Sequence, residues 1–227
     1  MFSPVRKFDF GREILKVTAI ATMTIDHTYA ILYPDLMFLH IIGRLSFPLF
    51  AYLIALGIES TKKPKKYMTT LLSFALISQI PYFLAFEIQP FERLNILFTL
   101  FLGALTIYFF NKKSLLTFVS ILLSILFRTE GSYYVVLTVA CMKLLKGNLK
   151  LGFLALFALN LQFLLIPDTQ VLSLFAVPLI LLHVKGWLKK EILIPENSLA
   201  YSIRKYAFYS FYPLHLALLF LIKLFFF

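Results

Sequence analysis

Residues 14–33, ILKVTAIATMTIDHTYAILY, decide the fold class of this 227-residue chain. An α-helix needs about 20 predominantly apolar residues to cross a lipid bilayer, and this segment has that length. It also carries Lys16, Asp26 and His27. Charged and titratable side chains are costly in lipid, and within a membrane span they usually mark a functional site. We therefore interpret the segment as a transmembrane helix that contributes to such a site.

Similar apolar segments follow one another along almost the whole sequence, separated by short polar clusters. Of all residues, 60% are apolar, phenylalanine alone occurs 26 times, and the mean hydropathy is +0.86. A soluble domain of this size would not carry so much apolar surface. We predict an all-α, polytopic membrane protein whose helical bundle forms a single domain over residues 1–227, without linkers or internal repeats.

The apolar segments predict nine membrane-spanning helices. They lie at roughly 13–33, 36–58, 67–86, 94–110, 114–127, 132–145, 151–166, 171–184 and 206–226. Several middle segments are short, and a helix of about 14 residues rises only about 21 Å, less than the ~30 Å hydrocarbon core. The turn at 128–131 is therefore expected below the outer membrane surface, where irregular backbone needs protein or a wet cavity around it. A plain surface loop is the alternative interpretation.

The net charge of +11 at pH 7 is typical of nucleic-acid-binding proteins, but its distribution argues against a nucleic-acid partner. The basic residues form small clusters on alternate loops, as the positive-inside rule requires. These clusters lie at 6–12, 62–66, 112–113, 143–150 and 185–205. We predict that they and the N-terminus are cytoplasmic and that the C-terminus is external. The lone Cys141 excludes an internal disulfide.

Lys16 and His27 are expected to share one face of the first span. Their separation of eleven residues corresponds to about 20° more than three full helical turns and to roughly 16 Å along the axis. A cation near one membrane surface and a histidine deeper on the same face suit a long anionic ligand whose reactive end must reach a proton acceptor. Snorkelling of Lys16 to the interface is the alternative interpretation.

Most other intramembrane polar residues fall at or above the middle of the membrane in this orientation. A buried carboxylate and a buried guanidinium need partners, and Asp26 with Arg44 is the obvious pair. That pairing leaves the neighbouring His27 unexplained. We therefore predict a polar cavity in the outer half of the bundle, without a metal. Its candidate residues are Asp26, His27, His40, Arg44, Gln79, Asn95, Arg128, Glu130, Tyr212 and His215.

Several of these polar residues also have a structural interpretation. Gln79 and Asn95 suit hydrogen bonds between helices, which are common in membrane bundles. His40 and His183 each lie near a helix end, where placement at the membrane interface is expected. We expect His215 to be a packing or acceptor-side residue.

Six sequence blocks occur in order along most of the chain. They are LKVTAIATMTIDH at 15–27, GRLSFPLF at 43–50, SQIPY at 78–82, LNILFTL at 94–100, EG at 130–131 and FYSFYPLHL at 208–216. These blocks resemble the TraX family, which acetylates F-pilin. The spacing of Lys16 and His27 is also similar to the Lys/Arg-x10-His signature of the wider membrane acyltransferases of the acyltransferase-3 type. Ser132 and the two tyrosines after it depart from the TraX pattern, in which a second glycine is expected nearby.

The resemblance implies an integral-membrane acetyltransferase in the bacterial inner membrane. It would move an acetyl group from acetyl-CoA on the cytoplasmic side to an amine or hydroxyl of a protein, such as a pilin-like N-terminus, or of a cell-surface glycan. Its other partners would be the lipid bilayer and acyl-CoA itself. Direct transfer and transfer through an acyl-histidine are both consistent with this chemistry.

The resemblance also implies roles for individual residues of these blocks. Neutral His27 acts as the base, because the pKa of an unperturbed histidine is about 6.5. Asp26 points about 100° away from His27 on the helix and is expected to hold Arg44 instead. Arg44 or Asn95 faces the oxyanion of the tetrahedral intermediate. Lys16 and the cytoplasmic basic loops hold the phosphates of CoA.

Two other classes of protein are consistent with the same residues. In a proton-coupled secondary transporter or a lipid or glycan flippase, buried His, Asp and Arg side chains form a pathway through the membrane. The absence of an internal repeat counts against this class. A non-catalytic membrane scaffold would leave the outer polar residues unexplained.

Overall fold

The protein is described from a computed structural model. The described residues are 5–90, 92–165, 168–188, 190–195 and 199–226, with the side chains of 5–8, 164–165, 191–195 and 199–205 excepted. Several basic residues counted in the predicted cytoplasmic clusters therefore have side chains outside the described part: Arg6, Lys7, Lys189, Arg204 and Lys205.

Helices make up nearly all of the described part of the chain. Their bounds are α1 Phe10–Ile31, α2 Met37–Gly43, α3 Ser46–Ser60, α4 Pro64–Phe86, α5 Ile96–Asn111, α6 Leu116–Leu126, α7 Ser132–Gly147, α8 Leu149–Leu165, a 3-10 helix Thr169–Ala176, α9 Val177–Val184 and α10 Leu199–Phe226. Two short strands, β1 Val5–Asp9 and β2 Glu191–Pro195, pair antiparallel with Asp9 opposite Glu191. The sequence analysis did not predict this strand pair.

The predicted spans correspond to these helices with two differences. The second span is broken at Arg44 and Leu45 into α2 and α3, and the eighth begins as a 3-10 helix. Among the described residues, three segments are long and apolar enough to cross a membrane: Met37–Ser60, Pro64–Phe86 and Tyr206–Phe226. Four other apolar helices are shorter than 18 residues. Helix α1 has 22 residues but is not among the three, so its prediction as the first membrane span stays a prediction. The helical membrane character is thus supported, whereas the count of nine spans stays a prediction.

Helix α3 lies at the centre of the bundle. All eight residues from 51 to 58 are buried, and a helix that is apolar all round is a core helix or a membrane span. It packs against α1, α5 and α7. Helix α1 meets this core through Leu15 and Ala19, which are fully buried one turn apart. The carboxylate of Asp9 caps α1 by accepting a hydrogen bond from the backbone N–H of Arg12 at 3.2 Å.

Helices α4 and α10 form the most extensive helix pair outside the α3 core, and each contains an internal proline, Pro81 and Pro213. A groove of about 630 Å³ runs between them and is lined almost entirely by apolar side chains. It is not the predicted polar cavity, which stays a prediction.

The turn that follows α6 is tied to the start of α5. The backbone N–H of Glu130 donates to the carbonyl of Leu94 at 2.8 Å, and Leu94 and Thr129 form a parallel bridge. Gly131 has a φ of +69° and Ser132 a φ of +44°, both in the left-handed region that favours glycine. The tight backbone therefore directs the Glu130 side chain towards α5, and Ser132 stands where the TraX pattern leads us to expect a glycine nearby.

Candidate functional site

His27 and His215 form a buried histidine pair between α1 and α10. Nδ1 of His27 lies 2.6 Å from Nε2 of His215, and the two rings meet edge to edge in nearly parallel planes, with centroids 4.9 Å apart and an angle of 6° between planes. Both residues are only 6% exposed. Nδ1 of His215 lies 2.9 Å from the backbone carbonyl oxygen of Phe211, one turn earlier on α10. The α10 backbone therefore holds the His215 ring, and His215 in turn holds the His27 ring.

Aromatic side chains surround the histidine pair. Phe86 and Tyr212 meet the His27 ring edge-on, with centroids at 5.6 and 6.0 Å. Tyr82 packs beside Phe86 at 4.9 Å. The hydroxyls of Tyr82 and Tyr212 are buried and form no well-aligned hydrogen bond among the described residues. Glu130 and Arg93 lie near the Tyr82 hydroxyl, and the backbone of Ile96 lies near the Tyr212 hydroxyl. Tyr212 contacts the His27 ring, and Tyr82 packs against Phe86, which is itself a neighbour of His27. Buried hydroxyls without well-aligned partners are unusual, so both are candidate ligand contacts.

Glu130 lies between the start of α5 and the two tyrosines. Its carboxylate accepts a hydrogen bond from the backbone N–H of Ile96 at 3.1 Å, at the first residue of α5. Its backbone carbonyl accepts one from the hydroxyl of Thr99 at 2.7 Å. The carboxylate also lies within electrostatic reach of both Tyr82 and Tyr212. Arg128, two residues earlier, is exposed, so the turn contributes Glu130 rather than Arg128 to the interior.

Asp26 is the centre of an outer ion-pair network formed by Asp26, His40, Arg44 and Gln170. Its carboxylate accepts hydrogen bonds from Arg44 at 2.5 Å and from Nδ1 of His40 at 3.0 Å. Arg44 also donates to the side-chain oxygen of Gln170 at 2.9 Å. The predicted pairing of Asp26 with Arg44 is confirmed. The sequence analysis did not identify Gln170, because nothing in its local sequence indicates a buried partner.

Two features of the backbone build this network. Arg44 stands in the break between α2 and α3, which turns its guanidinium back towards α1. Gly43 is buried against Asp26, and a Cβ at that position would overlap the Asp26 side chain. Glycine there lets α2 approach α1 closely enough for the ion pair to form.

Gln79 and Asn95 join α4 to the start of α5. The Asn95 amide donates to the side-chain oxygen of Gln79 and to the carbonyl of Ala75, each at 2.8 Å, and its own side-chain oxygen accepts from the backbone N–H of Leu97. Asn95 is fully buried and is the N-cap of α5. Because its side chain is already hydrogen-bonded at both ends, the interhelical interpretation fits Asn95 better than a role facing the oxyanion.

Lys16 lies apart from these groups, towards the other end of α1. It pairs with Glu13 at 2.8 Å, and its ammonium is 5.4 Å from the ring centroid of Phe208 on α10. Phe208 and His215 are about two helical turns apart. Lys16 and His27 therefore both face α10, as their spacing predicted, with the cation and the base at separate depths.

His183 is a third buried histidine, and the sequence analysis did not identify its partners. His183 was expected at the membrane interface, and it is only 3% exposed. Its Nδ1 lies 2.9 Å from the hydroxyl of Tyr52, and its Nε2 lies 3.0 Å from the carboxylate of Asp9. These partners come from β1 and α3, far from His183 in sequence, so the local sequence did not indicate them. The expected placement at the membrane interface stays a prediction. The contacts join the start of α1 to α3 and α9.

Comparison with known proteins assigns this chain to a family. The family model described as TraX protein matches residues 11–223. The chain is 28% identical over 247 aligned positions to the probable fimbrial assembly protein FimC, serogroup H1, of Dichelobacter nodosus, and the match covers 97% of this chain and 98% of that protein. It is 36% identical over 102 residues to an uncharacterized protein of Rickettsia prowazekii, covering 45% of this chain and 38% of that protein. No solved structure matches. Because the family model covers nearly the whole chain, including the histidine pair and the outer ion-pair network, the protein belongs to the TraX family.

Proposed function

We propose that this protein is an integral-membrane acyltransferase that moves an acetyl group from acetyl-CoA to an amine or hydroxyl, with His27 as the general base. The observation that carries the proposal is the buried His27, which is held by a second histidine and contacts Tyr212, whose buried hydroxyl forms no well-aligned hydrogen bond. A histidine is the usual general base at neutral pH, and unpaired donors beside it suit a developing oxyanion.

The proposed reaction conserves atoms and charge. His27 takes the proton from the acceptor N–H or O–H while the acceptor nitrogen or oxygen attacks the thioester carbonyl carbon. The tetrahedral intermediate collapses by breaking the carbon–sulfur bond, and the CoA thiolate receives the proton back from His27. The products are the acetylated acceptor and free CoA. The alternative route through an acetyl-histidine would divide the same exchange into two steps.

The hydroxyls of Tyr82 and Tyr212 are the proposed donors to the oxyanion. An oxyanion donor must have a hydrogen not already engaged elsewhere. Asn95 does not meet this condition because both of its donated bonds go to α4. The Tyr212 hydroxyl meets it. The Tyr82 hydroxyl lies near the Glu130 carboxylate and would exchange that acceptor for the oxyanion. Arg44 is mostly engaged by Asp26 and Gln170, which suits a role in orienting the helices around the site.

Lys16 is the proposed contact for a phosphate of CoA. Its partly buried ammonium lies beside Glu13 near the start of α1, on the face that also carries His27. The rise of about 16 Å between the two residues suits an extended donor with its phosphates at one end and its thioester at the other. In this proposal the N-terminus and the basic loops are cytoplasmic, and the donor enters the inner membrane protein from that side.

The acceptor is proposed as a protein amine, such as the N-terminus of a pilus subunit, or a cell-surface glycan. The similarity to a protein named for fimbrial assembly supports the pilus-related acceptor.

The test uses the purified full-length protein in lipid nanodiscs with acetyl-CoA and a candidate pilin or cell-surface glycan. Wild type should release CoA and add one acetyl group to the acceptor, as read by mass spectrometry. His27→Gln should lower the rate by about 10²–10⁴-fold, as expected for loss of a general base. Thr28→Val is the matched control, because the Thr28 hydroxyl bonds only within its own helix. Acceptor flux into proteoliposomes without acetyl-CoA, with no acetylation, would favour a transporter instead.

A further inference from the structure

We infer that His215 is a positioning residue that sets the protonation of His27, holding its proton on Nδ1 and leaving Nε2 as the atom that acts as the base. This inference rests on the proposed function for its catalytic meaning. Its structural part, the tautomer of His27, stands independently of any reaction.

The direction of the hydrogen bonds follows from the α10 backbone. A backbone carbonyl can only accept a hydrogen bond, so Nδ1 of His215, 2.9 Å from the carbonyl of Phe211, must carry the proton. A neutral imidazole has one N–H, and Nε2 of His215 is therefore an acceptor. Across the 2.6 Å contact the hydrogen then belongs to Nδ1 of His27. Neutral His27 thus keeps its lone pair on Nε2.

The opposite assignment would leave one contact without a hydrogen. If a neutral His215 donated from Nε2 to His27, its Nδ1 lone pair would face the Phe211 carbonyl, and two acceptors would repel each other at 2.9 Å. Stacking of the His215 ring on Phe211, with centroids 5.1 Å apart and 11° between planes, holds the ring in the orientation that makes both bonds. Only one neutral arrangement therefore satisfies the histidine pair.

Among the residues that the structure describes, the hydrogen bond of the His27 ring is the one that Nδ1 forms with His215, which leaves Nε2 for a ligand. The His27 ring contacts the rings of Phe86 and Tyr212. The ring carbon atoms of these two residues are not hydrogen-bond partners for Nε2. The lone pair on Nε2 of His27 is then available to the acceptor. The Tyr212 hydroxyl is available to the thioester oxygen.

The pair also spreads the charge that the reaction creates. When Nε2 takes the acceptor proton, His27 becomes an imidazolium and its Nδ1–H bond to His215 becomes charge-assisted and stronger. Movement of that proton across the 2.6 Å bond would place the charge on His215, where the Phe211 carbonyl receives the Nδ1–H. Return of the proton to Nδ1 of His27 and release of the Nε2 proton to the CoA thiolate restores the starting state.

Two variants of His215 separate positioning from packing. His215→Gln keeps a side-chain oxygen able to accept from Nδ1 of His27, whereas His215→Leu keeps a similar volume without an acceptor. We expect His215→Leu to lower kcat by on the order of 10²–10⁴-fold with little change in KM for acetyl-CoA, and His215→Gln to recover at least tenfold of that loss. Equal kcat for both variants at matched amounts of inserted protein would overturn the positioning role.

A measurement on the wild-type protein tests the tautomer without relying on activity. The protein is labelled with ¹⁵N at histidine and examined by solid-state NMR in lipid at a pH where His27 is neutral, with the His27→Gln spectrum used for assignment. A protonated Nδ1 and an unprotonated Nε2 on His27 are expected. A proton on Nε2 of neutral His27 contradicts the inference, even if acetyl transfer is confirmed. If acetyl transfer fails while the NMR result holds, the proposed function alone is rejected.

Discussion

At the scale of single residues, the site combines one histidine with a free nitrogen and two tyrosines with free hydroxyls. Burying a hydroxyl without a hydrogen bond costs about 1–3 kcal/mol of folding free energy. Two such hydroxyls in the interior therefore lower the stability of the folded protein. Tyr82 is 0% exposed and Tyr212 is 3% exposed, which makes both hydroxyls costly. A ligand oxygen that accepts from them would offset that cost and explains why tyrosine stands there rather than phenylalanine.

This leads to a prediction in which stability and activity change in opposite directions. Tyr82→Phe and Tyr212→Phe should each raise the thermal stability of the purified protein, because each removes an unpaired buried hydroxyl. Each should lower kcat, by about 10²–10³-fold if the hydroxyl donates to the oxyanion. Tyr133→Phe is the matched control, because the Tyr133 hydroxyl bonds Gln162 at an exposed position. Unchanged kcat in both variants would assign the tyrosines to packing.

Lys16 carries a second residue-scale prediction. Lys16→Met should raise the apparent KM for acetyl-CoA, because losing a charged contact in a partly desolvated site costs about 2–3 kcal/mol, roughly 30- to 150-fold in affinity. Lys16→Arg keeps the charge and should retain most activity. The kinetics must be compared at matched amounts of inserted protein. A donor KM equal to that of wild type, with lower expression, would show that Lys16 serves membrane insertion instead.

At the scale of elements, breaks and turns in the helices bring the polar groups together. The break at Arg44 and Leu45 directs a guanidinium at Asp26, and the tight turn after α6 directs Glu130 at the first N–H of α5. Asn95 caps α5 and links it to α4. A regular helix across any of these positions would point the side chain elsewhere, so the irregular backbone is what assembles the site.

Asn95→Ala should therefore destabilise the α4–α5 junction. The variant loses the N-cap, which contributes about 0.5–2 kcal/mol, and the two bonds that the Asn95 amide donates to Gln79 and to the Ala75 carbonyl, each a net contribution of about 0.5–1.5 kcal/mol. Gln79 keeps the backbone N–H of residue 95 and the Arg93 carbonyl as partners. Thermal unfolding in detergent, followed by circular dichroism, measures the loss. Ser73→Ala on the exposed side of α4 is the control and should change stability by no more than a few tenths of a kcal/mol, because the Ser73 hydroxyl bonds the Thr69 carbonyl within the same helix. A melting temperature of Asn95→Ala equal to that of the control would contradict the structural role.

At the scale of the whole molecule, different polar groups lie at two separate levels along α1. The histidine pair, Glu130 and the outer ion-pair network gather at one level, while Lys16, Glu13 and the Asp9–His183–Tyr52 contacts lie at the start of α1. In the proposed orientation these levels face the exterior and the cytoplasm. The proposed donor would therefore bridge them along the interface of α1 with α10.

The orientation is testable with introduced cysteines. In a Cys141→Ala background, Lys63→Cys should resist membrane-impermeant thiol reagents in intact cells, because its loop carries four lysines and is predicted to be cytoplasmic. Asp168→Cys should react, because Asp168 is exposed in the turn between α8 and the 3-10 helix. Both should react after the cells are permeabilised. Labelling in the opposite sense would overturn the orientation and the side from which the donor enters.

The sequence by itself determined what depends on neighbours along one helix or on general costs in lipid. Apolar segments of membrane length predicted the helices, the spacing of Lys16 and His27 predicted their shared face, and the need of Asp26 for a counter-charge predicted Arg44. Only the tertiary structure decided that His27 meets His215, 188 residues away, that Asn95 is fully engaged by α4, and that His183 is buried. These contacts depend on how each helix is rotated and where it crosses its neighbours. Such geometry is set by the packing of the whole core, and no local spacing encodes it.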